Sequence, residues 1–276
     1  MLIEFRQAEE QTCVGVQLCP EPHRVILYAS RYHPTCMAPH FSPNAIKFLK
    51  DLARHNDRDW FEARRDVYEA ELKTPMLAFI DALNHEMLSF APDHVRDPKK
   101  VMMRIYRDTR FSKNKAPYKK QVSAWWARYG MEKTSGGGYY MHAHPDQVMV
   151  AGGVYMPERA QLLAIREWMA DNHAEYRKLL KAALRTKVAG VSVTLIDPQA
   201  LTRMPKGFAA DHPADELLRA KNWGVHVLLP GEAALEPSLV KNVAKGFKAA
   251  APLIDALNAA ILAASKPTKS SANEWL

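Results

Sequence analysis

The sequence predicts an α+β fold, with a mainly antiparallel sheet in the middle of the chain flanked by N-terminal and C-terminal helices. Three observations carry this. Apolar residues recur at helical spacing from residue 42 to 88 and again from 157 to 264. From residue 122 to 156 the pattern changes to alternation, punctuated by Gly136-Gly137-Gly138 and Pro145-Asp146. The strand signals cluster instead of alternating with helices, which points to antiparallel pairing and not to βαβ units.

The elements follow in order. Ser42-Pro43 is a helix start, Ser as N-cap and Pro at the first helical position, and Ile46, Leu49, Leu52 and Ala53 continue its apolar face. Asn56-Asp57 breaks that helix and can cap the next, which carries Trp60, Phe61, Val67, Tyr68 and Leu72. Pro75 opens a third helix through Leu77, Ile80, Leu83 and Met87, stopped near Pro92. Val101 to Arg107 reads as a strand, as does Val122 to Tyr129. Tyr139 to His144 and Val148 to Met156 read as a hairpin across Pro145-Asp146. Tyr139, Met141 and Ala143 should face the core, and Tyr140, His142 and His144 the other side. Pro157 starts a helix through Met169, and another runs from Tyr176 to Leu184. Val191 to Leu195 suggests a short strand, Asp211-His212-Pro213 a cap before a short helix ending at Arg219, and Trp223 to Leu229 a final strand. Pro237 to Ala264 is helical, with an interruption expected at Pro252.

One domain is expected over residues 37–265, with an N-terminal extension, disordered or a mis-assigned start, over 1–36 and a disordered tail over 266–276. The three cysteines, Cys13, Cys19 and Cys36, all precede Met37. The body of the chain therefore has no means of forming a disulfide framework, an all-cysteine zinc site or a catalytic cysteine. An alternative for the first segment is an added edge strand at Val25-Ile26-Leu27-Tyr28. No apolar run approaches the roughly 18 residues of a membrane span. The start, Met1-Leu2-Ile3-Glu4-Phe5, lacks a basic lead into an apolar stretch, so the cytoplasm is the expected location and no membrane partner is expected.

The formal net charge is +8, and it is local. Residues 96–128 hold eleven Lys or Arg against two Asp, a net +9, which leaves the rest of the chain at −1. A single basic segment in a neutral background suggests a specific anionic partner, or a network neutralised by carboxylates from elsewhere. Within it lies Arg104-Ile-Tyr-Arg107-Asp108-Thr-Arg110-Phe111-Ser-Lys-Asn114-Lys115-Ala-Pro-Tyr118-Lys119. Guanidinium forks suit two-point contact with phosphate or carboxylate, and three Arg in seven residues can converge on one anion if the chain turns after Asp108. Tyr118 offers a flat face and a hydroxyl.

This stretch resembles the family known as domain of unknown function 2461, whose hallmark is Arg-x-x-Arg-Asp-x-Arg-Phe followed by [Asp/Asn]-Lys-x-x-Tyr. Here Phe111 is separated from Asn114-Lys115 by two residues where the family pattern has three. Asn56-Asp57-Arg58-Asp59-Trp60-Phe61, Gly138-Tyr139-Tyr140 with Gly152-Gly153, and Asp211-His212-Pro213 with Glu216-Leu217-Leu218-Arg219 extend the resemblance over about residues 40–265. The resemblance implies a shared fold and brings no reaction with it.

Candidate ligand-binding residues are Arg104, Arg107, Asp108, Arg110, Lys115, Tyr118, Lys119, Tyr140 and His142. The competing view of the arginines is an ion-pair network, Asp108 bridging Arg104 and Arg110 or the cations reaching Asp59 or Glu62. His142-x-His144 can point two imidazoles one way, but no third ligand is near in sequence, so no metal and no cofactor is expected. His212 reads as a helix-start residue, and Trp125-Trp126 as one core and one surface residue. No Gly-x-Ser-x-Gly elbow, Walker loop or dinucleotide fingerprint is present. The leading expectation is a small anionic ligand in an Arg/Lys-rich pocket, with or without catalysis. The alternatives are a nucleic-acid-binding module using the same charges with Trp125, Trp126 and Tyr118, and a structural or partner-binding role. A concave site favours the first, an open basic strip the second.

Overall fold

The computed structural model describes residues 13–18, 25–30, 38–131 and 136–265. The expected tail over 266–276 lies outside them. Cys13–Leu18 (β1) and Val25–Ser30 (β2) pair with each other as an antiparallel two-stranded sheet and do not join the edge of the main sheet.

Ser42 caps the first helix, Pro43–Arg54 (α1), by accepting a hydrogen bond from the Ala45 N–H, and its hydroxyl is bonded to Glu71. Asp57 does the same for Arg58–Glu62 (α2) at the Trp60 N–H. The expected single helix to Leu72 is instead broken into α2, Arg65–Tyr68 (α3) and a π-helical turn, Glu69–Lys73, which feeds Thr74–Met87 (α4). The expected strand from Val101 to Arg107 is not one. Pro98–Val101 is a short helix (α5) capped by Asp97, and beyond it the chain forms an irregular arm. The arm goes out over residues 102–107, turns, and returns over 117–121. It is held by isolated bridges between Met102 and Ala124 and between Tyr106 and Tyr118.

Val122–Ala127 (β3), Gly138–Ala143 (β4), Gln147–Val154 (β5), Thr194–Leu195 (β8) and Trp223–Pro230 (β9) form the antiparallel main sheet, in the order β3-β4-β5-β9-β8. The hairpin turn falls at Pro145-Asp146 as expected, with Tyr140 opposite Ala151. Lys187–Val188 (β6) and Val191–Ser192 (β7) form a separate pair. Arg159–Leu184 (α6) joins the two helices expected there across a kink at Asn172, whose side-chain amide donates to the Trp168 carbonyl. Asp215–Arg219 (α7) precedes β9.

Leu239–Ser265 (α8) runs unbroken through Pro252. Pro252 and Lys248, whose carbonyl loses its partner there, both lie on the solvent side, where water satisfies the freed group. By length and composition α8 is the one described helix able to cross a membrane, contrary to the expectation that no segment qualifies, yet half of that apolar window is buried within the fold. Its buried side packs on one face of the sheet: Phe247 meets Trp126 and Tyr139 edge-on or tilted. Helix and sheet approach closely because glycine stands on both surfaces. A Cβ at Gly152 would lie 2.5 Å from that of Ala250, and one at Gly246 would lie 2.8 Å from Val150. Trp126, Tyr139, Met141, Ala143, Val148 and Val150 are buried on this face, as the alternation predicts.

Candidate functional site

The basic segment becomes the arm and the start of β3, and its base is fixed by apolar and amide contacts. Tyr118, expected to face a ligand, is 1% exposed and stacks on Phe61 with centroids 4.1 Å apart. Burial, reinforced by Tyr106, pushes its phenol pKa up. Tyr106 packs on both rings, and its hydroxyl accepts from Arg65 at 3.4 Å. Asn56, expected with Asp57 to break α1 and cap the next helix, reaches 62 residues along the chain. Its Oδ1 accepts from the Tyr118 N–H at 2.9 Å and its Nδ2 donates to the Tyr118 carbonyl at 3.1 Å. No periodicity signals that contact; only the structure reveals it.

The far loop of the arm is tied by its own residues. Arg107 donates to the Ala116 carbonyl at 3.0 Å and lies 3.5 Å from the Ser112 hydroxyl. Asp108 takes a two-point contact from the Arg110 guanidinium at 3.1 and 2.7 Å, which holds its carboxyl down at about 2. Lys115 donates to the Thr109 carbonyl at 3.0 Å, and Asn114 accepts from the Ala116 N–H. Arg107, Asp108, Arg110 and Lys115 thus lie on one loop, Asp108 and Arg110 paired with each other and Arg107 and Lys115 bonded to its backbone. At its crest Phe111 is 95% exposed, with the Arg110 guanidinium 5.8 Å from its ring.

Arg104 is exposed beside the half-buried Lys119, whose pKa is lowered by burial and then by Arg104. The network reading is answered by the ion pairs themselves. Glu62 is taken by Arg65 and not by the arm, and only Arg110 and Arg128 of the eleven cations pair with a carboxylate among the described residues. Arg104, Lys113, Lys119 and Lys120 make no ion pair among them.

Tyr140 and His142 belong to a different surface, the sheet face turned away from α8. Gln121 donates to the Tyr140 hydroxyl at 3.1 Å, and that hydroxyl lies 3.2 Å from His142 Nδ1. Burial, then His144, pushes the His142 imidazole down to about 4, so it is neutral and shares its Nδ1 hydrogen bond with the Tyr140 hydroxyl. His144 turns to the Asp146 backbone N–H instead. Among the described residues no three His, Cys, Asp or Glu side chains gather as metal ligands. His212 accepts from the Ala214 N–H at the entry to α7, the helix-start role expected of it.

A family model described as "Conserved hypothetical protein (DUF2461)" matches residues 44–255, most of the chain. The chain belongs to the DUF2461 family. The match takes in the arm, its Asn56 clamp and the whole antiparallel sheet, so these features are part of the DUF2461 domain in this protein. No curated protein and no solved structure matches the chain.

Proposed function

We propose that this DUF2461 protein binds a single-stranded nucleic acid along the basic arm. The observation that carries this is the exposed, uncompensated charge. Arg104, Lys113, Lys115 and Lys120 are exposed, and none forms an ion pair with a carboxylate among the described residues. The Arg107 tie, the Asp108–Arg110 pair and the Lys115 bond to the Thr109 carbonyl hold the loop's shape, leaving Lys113 and Lys120 to the partner. Phe111 supports the same reading: a ring exposed among cations is a stacking face for an unpaired base, worth about 1–3 kcal/mol per base. A phosphate backbone neutralised by several cations releases counterions, so affinity should fall steeply with salt.

A second reading has one observation in its favour. Lys119 is half-buried beside Arg104, a place for one small phosphate or carboxylate. Fluorescence anisotropy with a labelled oligonucleotide of about 15 nucleotides, the upper range of a single-module footprint, separates the two. The proposal expects salt-sensitive binding, weakened by Lys113→Glu and by Phe111→Ala, with sulfate competing only weakly. Absence of oligonucleotide binding, together with thermal stabilisation by phosphate that Arg104→Ala abolishes, would overturn it in favour of the small anion.

A further inference from the structure

Resting on the nucleic-acid reading, we infer that the open face of the sheet is a stacking platform for unpaired bases, with Trp125 as its principal seat. Register and alternation place Trp125 on β3 opposite Tyr140 on β4, Tyr140 opposite Ala151 on β5, and Ala151 opposite His226 on β9. These four residues form one transverse row on the face that α8 leaves free. At a strand spacing of about 4.8 Å the row runs about 14 Å, room for more than one base. All four are half-buried, so each presents some surface without standing clear of the sheet.

The setting of Trp125 is particular. A Cβ built at Gly138 would lie 2.8 and 3.1 Å from the Cζ2 and Cη2 atoms of its indole. The indole's six-membered ring therefore rests over Gly138, where a larger side chain would push it away. Its partner in sequence, Trp126, is buried against Phe247 on the other face. The Trp125 indole N–H is buried with no hydrogen-bond partner. That nitrogen is closed to solvent, so what Trp125 offers a ligand is its ring and not its N–H.

The chemistry around the row is complementary to the same ligand. Tyr140 and His142 are neutral and bonded to each other, and burial lowers the pKa of His226 as well. The next row, Ser123, His142, Met149 and Leu228, is uncharged, so no carboxylate within these two rows repels phosphate. Ala151 leaves a gap between Tyr140 and His226. The arm leads directly into β3 through residues 119–121, and Gln121 reaches this face at the Tyr140 hydroxyl. The arm would hold the backbone and set the salt dependence, and the platform would read the presence of bases.

The test compares an oligothymidylate with an abasic oligomer of equal length by anisotropy at fixed salt, for the parent, Trp125→Ala and Trp125→Phe. The parent should prefer the base-bearing oligomer. Trp125→Ala should weaken that binding about 5- to 100-fold while leaving the abasic affinity and the salt slope unchanged. Trp125→Phe, which keeps a ring and guards against a folding defect, should retain part of the preference. Equal binding of both oligomers by the parent, or an undiminished preference in Trp125→Ala, would overturn the platform while leaving the arm's role standing. Binding of neither oligomer would overturn both.

Discussion

Removing the Asn56 side chain should detach the basic arm from the helices beneath it. In Asn56→Ala both hydrogen bonds to the Tyr118 backbone, at 2.9 and 3.1 Å, are lost. Each such bond contributes about 0.5–1.5 kcal/mol net, and half-buried backbone groups left unpaired add to that, for a total of about 2–4 kcal/mol. Urea unfolding measures it: the midpoint should fall with the slope unchanged. The loss should also be local. The Arg107 and Lys119 amides, bonded to the Pro117 and Ile105 carbonyls at 2.8 Å, should exchange with solvent faster than amides of β5. Asn56→Asp keeps an acceptor for the Tyr118 N–H but sets a carboxylate against its carbonyl. It should be destabilised at neutral pH and recover part of the loss below about pH 4, where the carboxyl gains a proton to donate. A variant within about 0.5 kcal/mol of the parent, with arm exchange unchanged, would refute the view that this amide anchors the arm.

Four further outcomes are expected. Arg110→Ala breaks only an exposed pair and should leave the urea midpoint nearly unchanged. Arg107→Ala should cost about 1 kcal/mol and speed proteolysis between Asp108 and Ala116, because it releases the tie to the Ala116 carbonyl. Burial holds both His94 and His142 at about 4 in the fold against an ordinary 6.5, so the unfolded chain binds more protons between these values; stability should be full above pH 6.5 and fall by up to about 3 kcal/mol per histidine as pH drops to 4, an acid loss that His94→Gln should reduce if Gln keeps the bond to Gly137. Gly152→Ala puts a methyl 2.5 Å from that of Ala250 and should cost at least about 1–3 kcal/mol in thermal or urea unfolding, with Ala250→Gly restoring part of it.

The parts of the fold legible in the sequence are those decided by local chemistry. Ser42-Pro43 announces α1 because capping needs only neighbours, and the strict alternation of Tyr139, Met141 and Ala143 announces β4 because one face of that strand is dry. The misreadings share a cause. Val101 to Arg107 has the composition of a strand, but Asp97-Pro98 starts a helical turn there and only two isolated bridges tie the rest to a neighbour. Pro252 suggests a break that α8 avoids by turning it to water. The site divides the same way. The charge run is plain in the sequence, whereas the amide clamp from Asn56 and the resting of Trp125 over Gly138 join residues whose proximity only the tertiary structure creates.

The position of the arm along β3 has a further consequence. β3 is the outermost strand of the sheet, and an unpaired edge invites addition of a strand from another molecule. The Met102–Ala124 bridge and the Met103 N–H bonded to the Ser123 carbonyl at 2.9 Å occupy part of that edge. The lysines and arginines of the same segment repel any second copy that approaches. A chain with residues 102–121 excised should therefore self-associate, and loss of binding by such a deletion would report aggregation as much as a missing ligand contact. Point substitutions at exposed positions, which leave the edge guarded, are the sound way to question this surface.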